Sequence, residues 1–150
     1  MEAVPAGEGD PVSGVPRRAS YVLDGDGAWI AEARRLAAAF LTRAQAEDTL
    51  PVSARAMEVT QLVVSELVTN ARKYAPGPVR LDLRIAGDAL EVMVRDGSTA
   101  LPVAGVANPD RVGRHGLEIV LAVARGVDVQ PEPTGKRITA LISLMETDDR

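Results

Sequence analysis

VTQLVVSELVTNARKYAP, running from Val59 to Pro76, meets no glycine or proline before its final residue and decides how the rest of the chain is read. At about 100° per residue, Val59, Leu62, Val63, Leu67 and Tyr74 share one helical stripe. Glu66 and Asn70 fall on the same stripe, roughly 40° apart and one turn from each other. Lys73 lies about 20° from Glu66 on this wheel. A carboxylate and an amide facing an interior need partners, because burying either one unpaired costs a few kcal/mol, on the order of 1–3. Two readings follow. Either neighbouring backbone satisfies a pair of core polar groups, or carboxylate, amide oxygen and cation converge on a metal–phosphate ligand.

Composition narrows the choice. A chain of 150 residues forms one domain with room for a sizeable core. Its 46% hydrophobic and 25% charged residues are ordinary for a globular protein. A formal net charge of −4 argues against a nucleic-acid or anionic-membrane surface. Aromatics at 3% argue against stacking platforms for single strands. No cysteine and a lone histidine, His115, exclude disulfides and Cys/His zinc sites and fit a cytoplasmic location. No apolar run reaches transmembrane length, and the N-terminus lacks a signal peptide's basic start and apolar stretch.

Residues 1–18 are rich in Gly, Pro and small side chains and are expected to form a loose tail. A domain over 19–144 and a fraying tail over 145–150 follow. Ala19 to Leu23 reads as a strand ended by Asp24-Gly25-Asp26-Gly27. Ala28 to Ala46 reads as a helix that buries Ile30, Ala33, Leu36, Ala37, Phe40 and Leu41. Arg34, Arg35 and Arg43 lie off that face as solvated surface. The central helix runs from near Ser53 to Tyr74 and is stopped by Ala75-Pro76-Gly77-Pro78.

Val79, Leu81, Leu83 and Ile85 alternate with charged residues, and after Gly87-Asp88 so do Leu90, Val92 and Val94. Asp96 is in phase with the second set, which aims its carboxylate at the core side. Asp96-Gly97 also reads as a plain turn. Gly97 to Gly113 shows no periodicity, and a loop of that length inside a domain is functional or mobile. A helix is expected from Leu117 to about Arg125, with Gly126 as its C-cap. Strands at Val127–Val129 and Arg137–Leu144 close the chain. Gly113-Arg114-His115-Gly116 ahead of the helix lets backbone N–H groups approach an anion.

Several chemistries drop out. There is no G-x-x-x-x-G-K-[S/T], no G-x-G-x-x-G after a strand and no G-x-S-x-G elbow for a triad using His115. What remains is ordered: Glu66 with Asn70 on a helix, Asp96-Gly97 at a strand end, and Gly113 to Gly116 opening a helix. Together these resemble the N-box and the two glycine boxes of the GHKL ATPase superfamily, which includes gyrase, heat-shock chaperone ATPases, histidine kinases and mismatch-repair ATPases. SELVTNARKYA, GRHGLEIVLAVARGVDV and GKRITALISL are most similar to its small members, the bacterial anti-sigma factor serine/threonine kinases and their stand-alone ATP-binding regulatory relatives. The resemblance spans about Ala19 to Leu144.

The resemblance implies an α/β two-layer sandwich of the Bergerat ATP-binding type, a mixed, mostly antiparallel sheet with three helices on one face. It implies ATP and Mg²⁺ as cofactors. Asn70 would hold the metal, Glu66 would be the catalytic base, and Lys73 would lie near the phosphates. Asp96 would accept from the adenine amine, with Gly97 allowing close approach. Gly113, His115, Gly116 and Leu117 would close a lid over the phosphates. A sigma factor and an anti-sigma-factor antagonist would be the partners, with no direct nucleic acid, no membrane and a possible homodimer. Three positions depart from the family pattern. Ser98 stands where a longer glycine box is common, Tyr74 where the small kinases often carry histidine, and Arg137 where threonine is frequent. A catalytically silent ATP-binding regulator and a nucleotide-free adaptor therefore stand beside the kinase.

Overall fold

The computed structural model describes residues 17–24, 28–74, 77–97 and 112–145. Five strands and three helices follow one another as β1 (Arg18–Leu23), α1 (Trp29–Glu47), α2 (Ala54–Tyr74), β2 (Val79–Ala86), β3 (Ala89–Asp96), α3 (Val112–Val123), β4 (Gly126–Glu132) and β5 (Gly135–Ser143). Of the tail expected over 1–18, residues 1–16 lie outside the described residues and Arg18 already belongs to β1. Also outside are 25–27 of the first turn, 75–76 of the helix stop, 98–111 of the loop expected over 98–114 as a lid, and 146–150 of the tail expected over 145–150.

The strands form one sheet in the order β1-β2-β3-β5-β4. Every pairing is antiparallel, so the sheet is antiparallel throughout rather than mixed. Tight turns join β2 to β3 and β4 to β5. α3 carries the chain over β5 to the far edge, which keeps β3 and β4 from becoming parallel neighbours. Pro131 sits in β4 because an edge strand has one side with no ladder bonds to lose. That tolerance lets β4 and β5 extend beyond Val127–Val129 and back to Gly135.

Alternation sets the faces. Val79, Leu81, Leu83, Leu90, Val92, Val94, Ile138, Ala140 and Ile142 point inward and are buried. The outward residues form a charged network: Asp82 meets Arg80 and Arg95, Glu132 meets Arg95 and Arg137, and Arg84 pairs with Glu91. The three helices cover the inner face. α2 is central, packing on α1 and α3 and crossing β3 and β5.

Ser53 caps α2, accepting a hydrogen bond from the Ala56 amide at 2.9 Å on its side-chain oxygen. In α1, Trp29 is buried and Ile30 is 36% exposed, the reverse of the expected first anchor. The Arg72 guanidinium lies 4.9 Å from the Trp29 ring centroid, so the indole serves as a bridge between α1 and α2. Arg34, Arg35 and Arg43 are exposed, as expected. Gly126 begins β4 and is not a helix cap, because α3 already ends at Val123.

Candidate functional site

α2 buries Thr60, Val63, Val64, Leu67, Val68, Asn70 and Ala71 against the sheet. On the helical wheel these span an arc whose centre lies nearer Leu67 than Val59, so the buried face is rotated from the expected stripe. Leu62, taken as part of that stripe, is 37% exposed. Asn70 falls at one margin of the arc, and Glu66, half-buried, falls just beyond it. Glu66 thus faces α3, and Asn70 lies at the edge of the buried face instead of the middle of the core.

Asn70 is 2% exposed, and neither its Oδ1 nor its Nδ2 has a hydrogen-bond partner. Among the described residues such an amide finds no partner, a state that costs about 1–3 kcal/mol for each unmade bond, and a bound ligand would supply what is missing. Oδ1 is a hard oxygen of the kind Mg²⁺ accepts, and that ion takes few protein ligands beside phosphate and water. The metal–phosphate end of the site therefore fits the group that the resemblance implies.

Glu66 lies against α3: a Cβ built on Gly116 would lie 2.5 Å from Glu66 Oε1, so a side chain there would make the carboxylate swing aside. Glu66 also lines an open groove of about 490 Å³ between α1 and α2, with Ile30, Arg34, Leu62, Ser65 and Thr69. Its carboxylate thus stands between the α3 backbone and a surface open to a second molecule. Lys73 is exposed on the last turn of α2.

α3 begins at Val112, five residues before the expected Leu117. Gly113, His115 and Gly116 therefore belong to its first turns in place of a loop leading into it. Two glycines disfavour a helix by about 1 kcal/mol each, which is why the local sequence reads as a break; packing against α2 overrides that preference. The side chains of Tyr74 and His115 lie outside the described residues. Gly116 and Leu117 are buried facing α2 and the core.

On β3, Asp96 points inward as its phase requires and is 8% exposed. It is already engaged. Lys136, directly across the β3–β5 ladder, donates to both carboxylate oxygens, at 3.2 Å to Oδ1 and 2.9 Å to Oδ2. The two side chains are 1% and 0% exposed. Gly135 closes the corner: its φ is +157°, and a Cβ there would fall on the Asp96 carbonyl oxygen. Gly97 lies beneath the Thr134 carbonyl, 3.8 Å from where its own Cβ would be. A base amine fits less well here than a metal fits Asn70, since both acceptor oxygens carry a cation and neither reaches solvent.

Lys136 escaped the reading of the sequence because the last strand was started at Arg137. Carried two residues back from Ile138, the same alternation puts Lys136 on the core face. Thr60, buried with an unpartnered hydroxyl, gave no local signal at all.

Comparison with known proteins agrees with the fold. The family model for the histidine kinase-like ATPase domain matches residues 28–142. The chain belongs to that family and, with it, to the GHKL superfamily. No curated protein matches the chain. Among solved structures, the Acinetobacter baumannii histidine kinase AdeS is similar at 15% identity and a TM-score of 0.44, over 85% of this chain and 68% of that one. Among the described residues no helix is long and apolar enough to cross a membrane.

Proposed function

We propose that this protein is an ATP-dependent regulatory kinase of the anti-sigma-factor type, which phosphorylates a serine or threonine on a small antagonist protein and sequesters a sigma factor. The ATP-binding regulatory module rests on family membership. The observation that carries the reading further is Asn70, an amide buried with both polar atoms unpartnered, one helical turn from a carboxylate. Similarity of SELVTNARKYA to the small kinases supports serine or threonine as acceptor, and a sigma factor and its antagonist as partners.

Bound Mg-ATP would supply a transferable phosphoryl group and the cation that offsets its charge. Asn70 Oδ1 would orient the metal from the edge of the buried face of α2. Glu66, open to the α1–α2 groove, would take the hydroxyl proton from an incoming serine at a carboxylate oxygen. Amides at the start of α3, together with Lys73, would steady the phosphates. Lys136 on Asp96 favours a second reading, a regulator that holds nucleotide without turning it over or does without nucleotide altogether.

Calorimetric titration of ATP with and without Mg²⁺ tests the first requirement, and Glu66→Gln tests the second. The variant keeps the shape and hydrogen bonding of Glu66 but loses the proton acceptor. Binding should persist while transfer to the cognate antagonist falls by about two to four orders of magnitude. Transfer at the wild-type rate would remove Glu66 from this role. ATP binding without any transfer by wild type would leave the silent regulator.

A further inference from the structure

We propose that Lys136 withholds Asp96 from the nucleobase, so that this protein grips triphosphates by their metal–phosphate end with little preference for adenine. The inference rests on the ATP-binding reading above and narrows it. Three observations carry it. Lys136 Nζ donates to both Asp96 oxygens, at 2.9 and 3.2 Å. Both side chains are sealed from solvent, at 0% and 1% exposure. The backbone around them is pinned: Asp96 and Lys136 are direct partners in the β3–β5 register, and Gly135 lies so close to the Asp96 carbonyl that no side chain fits between.

A carboxylate selects an amine by being an unsatisfied acceptor. When the ligand supplies the missing donor, the gain is that of a hydrogen bond to a charged group, about 10- to 100-fold in affinity. Lys136 removes that gain. It gives each oxygen a charge-assisted donor, neutralises the site and leaves the carboxylate sealed from solvent, so an incoming amine finds an acceptor with less charge to offer and no open approach. To be read by Asp96, a base would have to open a buried ion pair whose desolvation is already compensated. Apparent affinity falls by the fraction of molecules in which the pair is open. No such obstacle exists at Asn70, whose polar atoms have no partner to displace. Asn70 and Asp96 are thus poised oppositely, and Lys136 is the determinant of base specificity.

The wild-type protein can be tested directly, by comparing ATP with purine riboside triphosphate, which lacks the 6-amino group, in the presence of Mg²⁺. Calorimetry should give affinities within about threefold of each other. Lys136→Met removes the competing donor, and in that variant ATP should be preferred by about 10- to 100-fold. A wild-type preference for ATP of tenfold or more overturns the inference while leaving the ATP-binding reading intact. A folded Lys136→Met with no gained preference does the same. Should that variant not fold, the wild-type comparison decides alone. Failure of either triphosphate to bind wild type or variant defeats the ATP-binding reading itself, and the inference with it.

Discussion

Glu66 Oε1 occupies the space that any side chain at residue 116 would need, 2.5 Å from the place of a Cβ there. The position of the carboxylate therefore depends on residue 116 having no side chain. Gly116→Ala should improve intrinsic helix propensity by about 1 kcal/mol, yet displace Glu66 toward the α1–α2 groove. The amide at residue 116 is retained. Mg-ATP affinity is expected to stay within about threefold, while phosphoryl transfer falls by tenfold or more, as misplacement of a catalytic group predicts. Equal losses in binding and transfer would show that residue 116 acts on the phosphates and not on Glu66.

Asp96 and Lys136 form a buried pair, so breaking it from either side should be far worse than removing both. Asp96→Asn leaves a buried ammonium with a neutral partner, and Lys136→Met leaves a buried carboxylate; each should lose about 3–5 kcal/mol in denaturant unfolding. The double variant should recover most of that loss, giving a coupling energy above about 2 kcal/mol in the cycle. Additive losses would mean that the two groups are held independently by other neighbours.

Much of this arrangement was legible in the residues. Period two in β3 carried Asp96 inward, against the plainer reading of Asp96-Gly97 as a turn, and the structure agrees. The same rule applied to β5 would have found Lys136, but the Gly135-Lys136 pair looked like turn residues because their conformation is fixed by contact with Asp96 and not by local preference. Trp29 and Ile30 exchanged roles for a similar reason. Either can begin the apolar face of α1, and the Arg72 side chain on α2, distant in sequence, is what favours the indole. The start of α3 was hidden because glycine signals a break locally, whereas here it admits Glu66.

Acid should loosen one peripheral clamp. Arg17, just before β1, donates to Asp48 at the end of α1, at 2.6 Å from Nε. That hydrogen bond, and then the guanidinium's charge, hold the Asp48 carboxyl below the usual range, with burial opposing. A carboxyl depressed by folding stabilises above its unfolded value, about 3.9, and that contribution is lost as pH falls through the folded value. Arg17 stays charged throughout. The pair is partly exposed, so the effect should not exceed about 1 kcal/mol. Comparing denaturant midpoints at about pH 3 and pH 6, Asp48→Asn should show a smaller acid loss than wild type. An identical pH dependence would assign acid sensitivity to other carboxylates.

Asn70 offers the sharpest separation of function from stability. Among the described residues its two polar atoms find no hydrogen-bond partner, an arrangement that opposes folding. Alanine has no polar atoms, favours the helix and, being smaller than asparagine, does not overpack a site whose neighbours Leu67 and Ala71 are apolar and buried. Asn70→Ala should therefore stabilise the nucleotide-free protein, by about 1–3 kcal/mol, an unusual outcome for a substitution at a buried position. The same change removes the proposed metal ligand, so any Mg²⁺-dependent part of ATP affinity should vanish. Thermal unfolding with and without Mg-ATP reads both effects at once: a higher midpoint for the variant alone, and a smaller rise on adding ligand. A destabilised variant would mean that ordered water already satisfies the amide, which would make Asn70 a structural residue and take away the main support for a metal at this site.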